Sequence, residues 1–187
     1  TTLSQNKTFT LTAVGPGGTT TSTLPTNVVP LPTISFTSNN SSISTGESAT
    51  LSWTVTGADV VSIDNGIGVV ASSGSRVVTP TTTTTYTLTA TNISGTTTAT
   101  RRITVVPLPV INSLTANPSA IDQGETITIS WTTTNATTVT FKGNNVALDG
   151  SLTFSPSSNT TYTITASNSL GDSVSRSVSV SVTPAPS

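Results

Sequence analysis

The sequence predicts an all-β protein in which small antiparallel β-sandwiches follow one another in tandem. Three observations support this prediction. Apolar residues alternate with polar ones at period two, turn residues separate short runs of that pattern, and one strand motif recurs about every 77 residues. No segment has the periodicity of an amphipathic helix. We therefore expect strands throughout the chain.

The recurring strand motif occurs three times. Phe9-Thr-Leu-Thr-Ala-Val-Gly returns 77 residues later as Tyr86-Thr-Leu-Thr-Ala-Thr-Asn, and 76 residues after that as Tyr162-Thr-Ile-Thr-Ala-Ser-Asn. A second motif, Gly-Glu followed by an alternating strand and Ser-Trp, occurs twice and ends at Trp53 and Trp131. The unit that repeats is therefore about 77 residues long.

The repeat boundaries are marked by a third motif, Val-Val-Pro-Leu-Pro, which is identical at residues 28–32 and 105–109. The motifs predict the C-terminal half of a repeat, two strands long, at residues 1–30, and complete repeats at residues 31–107 and 108–187. Asp64-Asn-Gly66 and Asn92-Ile-Ser-Gly95 supply turn residues that tolerate positive φ between strands.

The repeated aromatic residues are predicted to form the cores. A tryptophan face could stack on a sugar ring, but both tryptophans are in phase with the apolar residues two positions before them, which favours burial. The tyrosines begin the penultimate strand, where sandwiches of this kind often hold a packed tyrosine. The predicted core set is Trp53, Trp131, Tyr86, Tyr162 and Phe9.

The linkers are predicted to be short, extended and stiff. Proline fixes its own φ and restricts the residue before it, so Pro30 and Pro32, and likewise Pro107 and Pro109, limit the conformations of each joint. Identical stiff joints predict a rod-like array.

The half repeat at residues 1–30 lacks the tryptophan strand. A lone hairpin leaves an apolar face and open edges, and it is marginally stable in water. Either this segment belongs to a longer array, or it completes a sandwich of another molecule by strand addition.

Composition excludes several classes of function. The 187 residues carry a net charge of −1 and only 7% charged residues, which gives no basic surface for nucleic acid and no signal for membrane insertion. The chain has no His and no Cys, so imidazole and thiol catalysis and the usual zinc sites are excluded. The close carboxylate pairs, Asp59/Asp64 and Asp122/Glu125, are better explained by turns and strand starts. We expect no cofactor, no metal and no enzyme activity.

The Gly-Glu and Ser-Trp motif, followed by Thr-Thr-Tyr-Thr-Leu/Ile-Thr-Ala-Thr/Ser-Asn-x-x-Gly, resembles the bacterial immunoglobulin-like repeats of surface adhesins and secreted enzymes. The resemblance covers essentially the whole chain. It implies immunoglobulin-like sandwiches, an extracellular setting at the cell surface or in secreted form, and a spacer or adhesive role without catalytic residues.

The leading hypothesis for function is a stalk, spacer or filament module of an adhesin-type bacterial surface protein. Its partners would be neighbouring repeats, further copies in a homo-oligomeric fibre, and a glycan or host surface ligand. One alternative is a carbohydrate-binding accessory module of a secreted hydrolase, for which Phe141 is the candidate ligand contact. Another is a fibre or decoration domain of a phage virion.

Overall fold

The structure is a computed structural model that describes residues 5–185, and these residues form eighteen β-strands. The all-β prediction is confirmed. No helix in the described part of the chain is long and apolar enough to cross a membrane.

Residues Lys7–Gly15 (β1) and Gly18–Thr26 (β2) form a two-stranded antiparallel hairpin. The register pairs Phe9 with Leu24 and Leu11 with Ser22, so these four side chains share one face. Both strands lie within residues 1–30, where the repeat motifs predict the C-terminal half of a repeat. Phe9 is 46% exposed rather than packed in a core.

The next eight strands form two sheets, a three-stranded one of order β3-β5-β8 and a five-stranded one of order β4-β10-β9-β6-β7. β4 runs parallel to β10, whereas β5 pairs with β3, and β6 with β9, in antiparallel fashion. Their bounds are Thr33–Ser38 (β3), Ser42–Ser44 (β4), Ala49–Thr56 (β5), Val60–Ile63 (β6), Gly68–Val70 (β7), Ser73–Val78 (β8), Thr84–Asn92 (β9) and Gly95–Val106 (β10).

The last eight strands repeat this topology, with sheets of order β11-β13-β16 and β12-β18-β17-β14-β15. β12 again runs parallel to the last strand. Their bounds are Val110–Asn117 (β11), Ala120–Asp122 (β12), Ile127–Thr134 (β13), Thr138–Phe141 (β14), Asn144–Val146 (β15), Gly150–Phe154 (β16), Thr160–Ser167 (β17) and Ser173–Thr183 (β18).

By compactness, the chain divides into two units. The first comprises the residues up to Ser38 with Leu51–Arg76 and Tyr86–Arg101, and the second comprises Asn39–Thr50, Val77–Thr85 and the chain from Arg102 onward. The domain boundaries near residues 30 and 107 stay a prediction from the repeats.

In the first unit, inward residues of β5 and β9 are buried, Trp53 and Tyr86 among them. The indole nitrogen of Trp53 donates a hydrogen bond to the carbonyl of Ala71 at 2.9 Å. A Cβ added to Gly74 would lie 3.0 Å from the Trp53 ring, so a side chain at this position would push the ring away by a few tenths of an ångström. The indole ring therefore has a fixed place against the neighbouring strand.

The second unit contains the same arrangement around Trp131. Its indole donates to the carbonyl of Ala147 at 3.1 Å, and a Cβ on Gly150 would lie 3.1 Å from its ring. The core also holds Phe141, whose ring centroid lies 6.1 Å from that of Trp131 and 5.9 Å from that of Tyr162. These stacked contacts explain why aromatic residues cluster in this repeat.

Hydroxyl pairs cover the outward face of the β17–β18 hairpin. Thr161 meets Ser179 at 3.0 Å, Thr163 meets Ser177 at 2.8 Å and Thr165 meets Ser175 at 2.7 Å between side-chain oxygens. Threonine favours extended backbone and still presents an oxygen to water. The hydroxyl pairs thus provide polar surface in a sequence that has few charged residues.

Candidate functional site: the linker clamps

Each proline-rich linker is hydrogen-bonded to the turn that joins the last two strands of the repeat that follows it. We call each of these places a linker clamp: Asn92, the last residue of β9, with residues 29–32, and Asn168, the first residue after β17, with Pro107. Each asparagine lies six residues after the core tyrosine of its strand. The repeat motif therefore places both amides at the same position.

The first clamp is built around the buried side chain of Asn92. Its Nδ2 donates to the carbonyl of Pro30 at 2.6 Å and to the carbonyl of Gly57 at 2.7 Å. Its Oδ1 accepts the backbone N–H of Ser94 at 2.8 Å. Both N–H donors and the oxygen of this buried amide therefore have hydrogen-bond partners.

Two further hydroxyls hold the same linker. The Ser94 hydroxyl donates to the carbonyl of Val29, and the Thr97 hydroxyl donates to the carbonyl of Pro32 at 2.8 Å. Proline has no N–H and cannot join a strand ladder as a donor, so each linker proline can offer a neighbouring element only its carbonyl. Side-chain donors are therefore the chemistry that can hold such a linker.

In the second clamp, the amide of Asn168 again donates to a linker carbonyl, but its second acceptor is a carboxylate rather than a backbone carbonyl. Asn168 Nδ2 donates to the carbonyl of Pro107 at 3.1 Å and to Oδ2 of Asp172 at 2.8 Å, while its Oδ1 accepts the backbone N–H groups of Leu170 and Asp172, each at 3.0 Å. Asn135 Nδ2 donates to the carbonyl of Leu108 at 3.3 Å. The linker is again held through its carbonyls.

Asp172 also accepts a hydrogen bond from the buried hydroxyl of Ser44, which lies in the same compact unit. The hydrogen bonds from Ser44 and Asn168 hold the pKa of the Asp172 carboxyl below its ordinary value of 3.8, because they favour the charged form. The corresponding position of the first clamp is Thr96, which pairs with Thr91 instead. The second clamp therefore contains a carboxylate at the position where the first has a threonine hydroxyl.

The four linker prolines have two kinds of surroundings. Pro32 and Pro109, the second residues of the predicted complete repeats, are buried, whereas Pro30 and Pro107 are exposed and offer their carbonyls to the clamps. Sequence reasoning identified these prolines and treated Asn92 and Asn168 as turn residues, but it missed the contacts of both asparagines with the linkers. The available signal was the recurrence of Asn at the end of the tyrosine strand in both complete repeats.

Phe141 was the candidate ligand contact, and the structure places it inside the core. Its side chain is 4% exposed and stacks on neighbouring rings, so its face is not presented to a ligand at the surface. Its neighbour Lys142 covers the rings of Phe154 and Tyr162, with Nζ 5.2 and 4.9 Å from their centroids. This repeat therefore uses Phe141 for packing.

The carboxylates singled out in the sequence organise turns. Asp64 Oδ1 accepts the backbone N–H of Thr87 at 2.8 Å, and Glu125 Oε2 accepts that of Asp122 at 3.0 Å. Glu47 makes the equivalent bond to Ser44 at 3.3 Å. In the described residues, no three His, Cys, Asp or Glu side chains are grouped so that they could hold a metal ion.

The fold and the clamps define a protein of tandem immunoglobulin-like β-sandwich domains. Among solved structures, the chain is similar to the N-terminal eight immunoglobulin domains of Down Syndrome Cell Adhesion Molecule, with a TM-score of 0.70 and 20% identity. The match covers 94% of this chain and 28% of that one. It is also similar to an I-band fragment of titin (TM-score 0.59, 18% identity, 82% of this chain and 66% of that one). A third similar structure contains immunoglobulin domains 1–4 of Sidekick-1 (TM-score 0.59, 19% identity, 98% and 60%). At these identities the similarity shows the fold.

In sequence, the chain is 33% identical over 186 residues to an uncharacterised protein of Ruminiclostridium cellulolyticum. The match covers 96% of this chain and 52% of the relative, so the chain spans about half of that protein's length. No family model matches the chain.

Proposed function

We propose that this chain is a non-enzymatic structural spacer in an extracellular bacterial protein. We further propose that the linker clamps serve this function by restricting the conformations of the linkers between successive repeats. The observation that carries the proposal is the same buried amide on a linker carbonyl in both complete repeats, Asn92 on Pro30 and Asn168 on Pro107. A spacer needs joints that keep their geometry. A hydrogen-bonded, proline-restricted linker has few conformations available to it.

The chemistry of the surface agrees with a passive role. The outward face of the β17–β18 hairpin carries hydroxyl pairs, only 7% of the residues in the chain are charged, and the chain has no His or Cys for imidazole or thiol catalysis. The extracellular setting rests on the resemblance to adhesin repeats. Assembly into a homo-oligomeric fibre and binding of a glycan or host ligand stay predictions from the sequence.

The test is the width of the distance distribution between two spin labels, one at Thr54 and one at Thr132, measured by pulsed electron paramagnetic resonance on the whole chain. Both residues are exposed strand positions, one in each complete repeat. We expect a narrow distribution that becomes broader with Asn168→Ala.

The matched control replaces residues 106–109 by Gly-Ser-Gly-Ser, which removes both the prolines and their restraint. If the unsubstituted chain gives a distribution as wide as the Gly-Ser variant, the joint is flexible and the spacer proposal is wrong. If Asn168→Ala leaves a narrow distribution unchanged, the prolines alone set the joint, and the clamp is not what supports the function.

A further inference from the structure

The β1–β2 hairpin leaves an apolar face uncovered. Phe9 is 46% exposed, and its neighbours Leu11 and Leu24 on the same face are 73% and 66% exposed. Natural sheets rarely leave such a face in water, since it invites association. A covering element is therefore expected for this face.

The two complete repeats show which element covers the equivalent face. Leu11 corresponds to Leu88 in β9 and to Ile164 in β17, and both of these side chains are fully buried. Phe9 corresponds to Tyr86 and Tyr162, which are also buried. The six strands that precede each hairpin in the chain, including the tryptophan strand, make up the rest of these sandwiches.

We propose that the apolar face of the β1–β2 hairpin is a docking surface for the first six strands of an immunoglobulin-like repeat, carried by the same polypeptide directly ahead of β1. The partner is defined by its chemistry, because it must present an inward tryptophan strand like β5 or β13. Phe9 differs from the tyrosines at this position only by lacking the hydroxyl, so its ring fits the same place in a core.

Three observations favour a partner joined in the same polypeptide over a second copy of this chain. In both complete repeats only five residues, 79–83 and 155–159, connect the preceding strand to the hairpin. A second copy already uses β3–β8 and β11–β16 in its own sandwiches, so it could offer them only by opening one. The relative from Ruminiclostridium cellulolyticum, of which this chain matches 52%, has the length to hold further repeats.

The experiment compares backbone amide hydrogen exchange in β1 and β2 between the 187-residue chain and two extended chains. One extended chain carries a copy of residues 31–83 joined to Lys7, and the other carries a copy of residues 108–159 joined to Lys7. Both keep the repeat in phase, because Thr84 and Thr160 begin the strands equivalent to β1. We expect exchange of the hairpin amides to slow by at least about 100-fold, since burial in a sandwich replaces a marginal hairpin.

Two substitutions in the extended chains separate docking from a nonspecific effect. Leu11→Ser places a hydroxyl on the apolar face and is expected to remove most of the added protection. Thr10→Ser alters the opposite face and is expected to leave it within about twofold.

Equal exchange in the original and both extended chains would overturn the proposal, as would equal effects of the two substitutions. Protection that rises with protein concentration in the original chain would also overturn it. That result would identify the face as an interface between copies.

Discussion

Replacing Asn92 by Ala removes both amide donors at the centre of the first linker clamp. The carbonyls of Pro30 and Gly57 lose their partner, and the N–H of Ser94 loses its acceptor. Each polar group left unsatisfied in a buried place costs about 1–3 kcal/mol, and water reaching the exposed side of the turn recovers part of it. We therefore expect the free energy of unfolding of the middle repeat to fall by about 2–3 kcal/mol.

Urea unfolding measures this loss. In a Trp131→Phe background, Trp53 is the remaining tryptophan, and its fluorescence reports the middle repeat. For a urea dependence of about 1–2 kcal/mol per molar, the midpoint should fall by roughly 1–3 M. Asn40→Ala, at an exposed asparagine of the same repeat, is the control and should shift the midpoint by less than about 0.3 M.

A second substitution at the same site tests the chemistry of the clamp rather than its shape. Asn92→Asp keeps the side-chain outline but turns a carboxylate toward two carbonyl oxygens. At pH 7 we expect it to be at least as destabilising as Ala, with part of the loss recovered as the pH falls and the carboxyl gains a proton. If Asp is tolerated at pH 7, or if Ala behaves like the Asn40 control, the amide donors do not hold the linker and our reasoning is refuted.

Three further predictions concern the second unit. Gly150→Ala should lower the free energy of unfolding by about 1–3 kcal/mol in urea titrations, because its Cβ would lie 3.1 Å from the buried Trp131 ring, whereas Ser151→Ala should be near neutral. Phe141→Ala should cost about 3–5 kcal/mol by the same measurement, and a loss below 1 kcal/mol would contradict its place in the core. Asp172 has a lowered pKa from the hydrogen bonds of Ser44 and Asn168, so its stabilisation is present above the unfolded-state pKa and disappears as pH falls through the folded-state pKa. Unfolding titrations from pH 5 to pH 2 should show a smaller pH dependence for Asp172→Asn, and an unchanged slope would refute this assignment.

The strands and the core aromatics of the complete repeats follow directly from sequence. Period-two alternation fixes which residues of a strand share a face, and so Trp53 and Tyr86 could be assigned to a core before any fold was known. Phe9 shows the limit of this reasoning. Its strand repeats the same pattern, but burial also requires a covering element, and a motif cannot report whether that element is present. Phe141 shows a different limit. As an aromatic residue without a counterpart in the other repeat, it suggested a special role. In the structure it packs against Phe154, a second aromatic residue confined to this repeat.

The clamps were harder to predict because Asn92 and Asn168 have two roles that the sequence does not separate. An asparagine followed by two residues and a glycine is already explained as a turn, since its side chain accepts the backbone N–H two residues later, as both of these do. That explanation uses only the amide oxygen.

The nitrogen is left with two donors in a buried place, and a buried donor needs an acceptor. Pro30 and Pro107 supply acceptors without adding a competing N–H, which explains why the same short motif of prolines precedes each repeat that carries the asparagine. The turn and the linker are therefore one structural element, although 61 or 62 residues separate them in the chain.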